Sequence, residues 1–140
     1  MSAHQHHACL KSAADLTPLL DVLEEQLSWS AKARFQIELA LEELIVNTFT
    51  HGSSGKQIEP TPAIVIDISF EQKAADLTIT LVDNALAFDP TDFATPDITL
   101  SAEDRKIGGL GLFLASKMMD KIDYKRVGSL NHVMMQKHLI

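Results

Sequence analysis

Apolar residues recur at helical spacing along residues 35–52, FQIELALEELIVNTFTHG. Phe35, Leu39, Leu41, Leu44, Ile45 and Phe49 mark a long, mostly buried helix closed by Gly52. Ser30 is placed to cap its start. On the same helix Gln36, Ala40, Glu43, Asn47 and His51 follow at steps of four, three, four and four, so their side chains stack along one face. Upstream, Leu16, Leu19, Leu20, Val22, Leu23 and Leu27 predict a helix over residues 16–27 with a broad apolar face. Ser12 or Asp15 caps it and Pro18 falls in its first turn, where a missing N–H does no harm. Residues 8–12 read as a short strand leading into it.

Beyond a Ser-, Gly- and Pro-rich loop over residues 53–63, the period changes. Ile64, Ile66, Ile68 and Phe70 alternate with Val65, Asp67 and Ser69, the signature of a half-buried strand. A hairpin turn at residues 73–76 leads into LTITLVD, with Leu77, Ile79 and Leu81 on the apolar face. Asp83 shares their parity and so points toward the core at the strand's end. Residues 90–107 are polar, contain Pro90 and Pro96 and show no period, the character of a lid or binding loop. They run into Gly108, Gly109 and Gly111, which open an amphipathic helix carrying Leu112, Phe113, Leu114, Met118 and Met119. Two strands, residues 123–127 and 132–138, close the chain around a Gly-Ser turn. This order predicts a two-layer α/β (α+β) sandwich: a mixed, mostly antiparallel sheet with helices on one face. It lacks the regular alternation of a Rossmann fold, and the glycine run does not match a Walker motif.

At 140 residues and 46% hydrophobic, the chain is one globular domain. Residues 1–8 read as a flexible tail and residues 9–140 as the domain. No apolar run approaches the length of a membrane helix, and the start MSAHQHHACLKSA lacks an apolar signal core, which reads as a soluble cytoplasmic protein. Twelve Lys and Arg against nineteen Asp and Glu, a net charge of −7, argue against a nucleic-acid backbone as partner. The lone Cys9 excludes an internal disulfide and a multi-cysteine zinc site. His4, His6 and His7 offer metal ligands, though a short histidine-rich terminus is more often a tail.

Three features carry candidate chemistry. A carboxylate and a carboxamide one turn apart, Glu43 and Asn47, suit proton transfer and a hard cation, or else form a solvated helix edge. Asp83 is either hydrogen-bonded to the turn after its strand or aimed at a ligand, because a buried carboxylate must be satisfied. Closely spaced glycines at a helix start let an anion approach free N–H groups, and equally serve tight packing.

Together these features resemble the GHKL (Bergerat-fold) ATPases, and within them the small anti-sigma-factor serine kinases of the RsbW and SpoIIAB type, over nearly the whole chain. ELIVNTFTHG is similar to the family's N box; the resemblance makes Glu43 the general base and Asn47 the Mg2+ ligand. DNALAFDP resembles the D-x-G-x-x-F-D-P box, which gives Asp83 the adenine amino group. GGLGLFLASKMMD resembles the second glycine box, which would place Gly108, Gly109, Leu110, Gly111 and Leu112 around the phosphates of ATP. Residues 90–107 become the ATP lid, with Arg105 and Lys106 at its end either neutralising phosphate charge or simply solvated. Two positions depart: Ala85 stands where the box has glycine, narrowing the approach of the base and disfavouring positive φ, and Met134 is the nearest position to the Thr that many relatives carry near Asp83. His51 closes the helix or orients a neighbour. The resemblance implies an ATP-dependent serine/threonine kinase that phosphorylates an anti-anti-sigma (STAS) partner, holds a sigma factor and forms a homodimer. The competing reading is a module of the same fold that sequesters a partner without catalysis. A histidine-kinase catalytic half or a gyrase-like ATPase would need further domains.

Overall fold

The alternation of residues 64–83 becomes the hairpin on which the sheet is built. In the computed structural model, which describes residues 4–52, 63–92 and 109–139, β2 (Ile66–Lys73) and β3 (Asp76–Asp83) pair antiparallel with Lys73 opposite Asp76. Ile66, Ile68, Phe70, Leu77, Ile79, Leu81 and Asp83 all face inward and are buried. Ala74 turns the corner with φ 54°, an alanine in the region that glycine prefers. The second hairpin joins β4 (Lys121–Val127) to β5 (Leu130–His138), and here Gly128 takes the positive φ of 58°.

The sheet runs β1-β2-β3-β5-β4, and every pair is antiparallel, so the parallel component of the expected mixed sheet does not occur among the described residues. β1 (His4–Leu10) pairs with β2 along its whole length at one edge. The expected flexible tail over residues 1–8 is therefore sheet from His4 onward. Backbone pairing, which a polar run such as HQHHAC does not advertise, holds it there. Alternation along β1 also sends His6 and His7 to opposite faces, which separates two of the three histidines considered as metal ligands.

The helices cover one face. α1 (Leu16–Leu23) follows a 3₁₀ turn at Ala13–Asp15, where the Asp15 carboxylate accepts from the N–H groups of Lys11 and Ser12 at 2.9 and 3.1 Å. It ends four residues earlier than expected, yet Leu27 is still buried. Val22 is 59% exposed, because Leu16, Leu20 and Leu23 define a stripe that excludes it. α2 (Ala31–His51) starts where Ser30 Oγ accepts from the N–H of Ala33 at 3.0 Å, the expected cap. Its buried stripe is Ala33, Ile37, Ala40, Leu41, Leu44 and Ile45, and Phe35, expected inside, is 65% exposed on the opposite ridge. α3 (Gly109–Met118) packs against α2, and Lys137 Nζ donates to the carbonyl of Met118 at 2.6 Å, pinning its C-terminal end to β5.

Two further backbone bonds place α2 on the sheet. Leu139 N–H donates to Ala75 in the β2–β3 turn, and Ser30 N–H donates to Leu139. The start of α2 is thus tied to the same end of the sheet as that turn, and its C-terminal end lies over the opposite end, where β3 finishes. Among the described residues no helix is long and apolar enough to cross a membrane.

Candidate active site

At the end of β3, alternation forces a carboxylate inward. Asp83 is 6% exposed, and its Oδ1 accepts from the N–H of Ala85 and from Asn131 Nδ2, each at 2.9 Å. Among the described residues no hydrogen bond reaches Oδ2. Both readings of Asp83 thus have a physical basis: one oxygen satisfies the turn, the other is left for a ligand.

Asp83 lies at the base of a cleft lined by residues from every element that meets there. Leu44, Asn47, Thr48, His51 and Gly52 come from the last turns of α2. Ile66, Leu81, Asn131 and Val133 come from the sheet, and Ala85, Leu86, Phe88 and Pro90 from the segment after β3. Most of this lining is apolar, with Asn47, Asp83 and Asn131 as convergent polar groups, the make-up of a small-molecule site. Asn47 is half-buried and its carboxamide has no hydrogen-bond partner among the described residues. Its oxygen suits a hard cation such as Mg2+, which takes few protein ligands alongside phosphate.

Glu43, one turn before Asn47, reaches α3. A β-carbon added at Gly111 would fall inside the radius of Glu43 Oε2 and within 2.8 Å of Cδ, so the absence of a side chain at Gly111 is what admits the carboxylate. The carboxylate therefore meets the first turn of α3, whose N–H groups lack helical partners and carry the positive end of the dipole. Gly109, Leu110 and Gly111 form that turn, and Leu112 buries its side chain in the core, leaving only its backbone for any anion. Gly108, Arg105, Lys106 and the lid from residue 93 onward lie outside the described residues. His51, the last residue of α2, is exposed at the cleft wall.

The two departures at the adenine end resolve differently from expectation. Met134 stands opposite Thr80, not Asp83, and is 44% exposed on the outer face, because Val133 and Met135 take the inward parity. The residue opposite Asp83 is Asn131. Ala85 does line the cleft, but it is not among the residues with positive φ, and it rests against Gly52: a β-carbon at Gly52 would lie 2.7 Å from that of Ala85. The N–H of Leu86 donates to the carbonyl of Gly52 at 2.9 Å, closing the contact. Asn131, Tyr124 and Arg126 escaped the sequence reading. Beginning the last strand at Leu130 and extending the inward parity of Val133 and Met135 back by one step would have placed Asn131 beside Asp83.

Sequence comparison finds relatives of this chain among known proteins. The chain is 28% identical over 127 residues to the serine/threonine-protein kinase BtrW of Bordetella bronchiseptica, covering 91% of this chain and 86% of that one. It is 29% identical over 107 residues to the serine-protein kinase RsbW of Listeria monocytogenes, covering 74% of this chain and 65% of that one. The model of the histidine kinase-like ATPase domain matches residues 10–137, and the chain belongs to that family.

Proposed function

We propose that this protein is an ATP-dependent serine/threonine protein kinase whose active site joins the cleft at the ends of α2 and β3 to the start of α3. The observation that carries the reading is the meeting of Glu43 with the glycine turn of α3, one helical turn from Asn47, which itself lines the cleft that holds Asp83. The names of the two relatives, both serine kinases, support it.

In this reading the adenine of ATP lies in the apolar cleft with its amino group on Asp83, and the backbone of residues 109–112 receives the phosphates. Asn47 would hold Mg2+, which when bound offsets negative charge on the phosphate oxygens. Glu43 takes the proton from a serine hydroxyl of a partner protein, whose oxygen bonds to the terminal phosphorus as the bond from that phosphorus to ADP breaks. Gly108 belongs to the phosphate turn, and Arg105 and Lys106 stand ready to neutralise charge at the lid's end. His51 closes α2 and shapes the cleft wall. The partner is an anti-anti-sigma protein of the STAS type in a partner-switching system, with a sigma factor as the alternative occupant and a homodimer as the working form. The protein acts in the cytoplasm.

The test is calorimetric titration with ATP and ADP, with and without Mg2+. Micromolar binding that depends on Mg2+ and is lost in Asn47→Ala is the expected result. A well-folded protein that binds neither nucleotide would remove the enzyme and leave a partner-sequestering module.

A further inference from the structure

Asn131 is the most heavily engaged polar side chain at the cleft and has no part in the transfer chemistry above. It is 3% exposed and is the second residue of β5, directly opposite Asp83. Its Oδ1 accepts from Tyr124 Oη at 2.7 Å, from Arg126 Nη1 at 3.0 Å and from the N–H of Phe88 at 3.4 Å. Its Nδ2 donates to Asp83 Oδ1 and the carbonyl of Leu86, both at 2.9 Å, and to the carbonyl of Ala85 at 3.4 Å. A guanidinium and a backbone N–H only donate, and carbonyls only accept, so the amide has a single orientation. Arg126 Nη1 also donates to the carbonyl of Ala85 at 3.0 Å, which locks the same segment a second time.

Two consequences follow from this wiring. The Asp83 carboxylate is held through one oxygen by two donors on different strands and turns, so its rotation is fixed and Oδ2 is the oxygen left for the cleft. The segment Ala85 to Phe88, which forms one wall of the cleft, is fastened to β5 by the same amide.

We propose that Asn131 is a positioning residue that sets base selectivity by aiming Asp83, with Arg126 holding Asn131 in place. The inference rests on the nucleotide reading of the cleft. An oxygen that only accepts, held at a fixed angle, pairs with a purine bearing an amino group at C6. It opposes a purine bearing a carbonyl there, because two acceptors then face each other in a buried site and the N1–H of such a purine is reached only if the carboxylate turns. A carboxylate free to rotate could turn away and admit either base. The wiring needs a carboxamide: a hydroxyl has too few donors, and a carboxylate at position 131 would face that of Asp83.

The test is displacement of a fluorescent ATP analogue by ATP and by inosine triphosphate, which differ at C6 and in the N1 proton that accompanies the C6 carbonyl. Wild-type protein should prefer ATP by tenfold or more. Asn131→Ala and Asn131→Asp should cut that preference at least fivefold, while displacement by tripolyphosphate, which has no base, stays within twofold of wild type. If Asn131→Ala does not fold, Arg126→Ala, at an exposed position, should lower the preference in the same direction. Folded variants that lose affinity for ATP and inosine triphosphate equally would overturn the proposal, leaving Asn131 a structural pin. Wild-type protein that binds no nucleotide would overturn the underlying reading and this inference with it.

Discussion

Glu43 occupies a space that exists only because residue 111 is a glycine, and this makes two substitutions informative. Glu43→Gln keeps the shape and removes the proton acceptor. It should bind ATP within a few-fold of wild type and lose roughly 10²–10⁴ in phosphate transfer to a serine substrate, measured with radiolabelled ATP. Gly111→Ala forces the carboxylate away from α3. The clash is with the far end of a flexible side chain that can swing aside at little cost, so the urea midpoint should stay near wild type while transfer falls. Transfer at the wild-type rate in either variant would take Glu43 out of the base role. At this scale the sequence reading located Glu43, Asn47 and Asp83 by spacing and parity, because each lies on a regular element with a clear period. It missed Asn131 because a polar residue at the start of a strand looks like part of a turn until its cross-strand partner is known.

Among the elements, α2 was legible almost to the residue, since a capping serine, a long apolar stripe and a closing glycine all agree. β1 was not, because its residues are held by the ladder to β2 and carry little apolar pattern. What joins α1 to α2 was also invisible in the sequence. Arg34 on α2 donates to Glu24 Oε2 at 2.6 Å and Asp21 Oδ1 at 2.9 Å, and stands over the Trp29 ring, 5.7 Å from its centre. Trp29 Nε1–H donates to the same Glu24 oxygen at 2.8 Å. These bonds, from Arg34 first and then Trp29, hold the Glu24 carboxyl below the ordinary glutamate range, and those from Glu24 and Asp21 push the Arg34 guanidinium above its own. Because the folded value for Glu24 is the lower one, its contribution to stability is complete above the ordinary glutamate range and is lost as pH falls through the depressed value. Arg34→Met should therefore flatten the decline of the urea midpoint on acidification below that range. An equal decline in both proteins would show that the knot does not couple the helices to pH. Glu24 is exposed, so the effect should also shrink in high salt.

For the whole molecule, the order β1-β2-β3-β5-β4 puts the last strand in the interior of the sheet and the first at its edge. The sheet wall of the cleft is thus borne by β2, β3 and β5, each paired on both sides, whereas β1 contributes nothing to it. Amide exchange separates the two populations: edge amides exchange by local fraying, interior ones only through larger openings. A ligand at a hundred times its dissociation constant adds about 2.7 kcal/mol to the folded state, which slows exchange through those larger openings by roughly a hundredfold. With ATP present, amides of β3 and β5 should therefore gain protection by up to that factor while those of β1 exchange as before. The bound nucleotide then acts as a clasp on the β4–β5 hairpin, and a chain that has released it is one whose final strand is freer to leave.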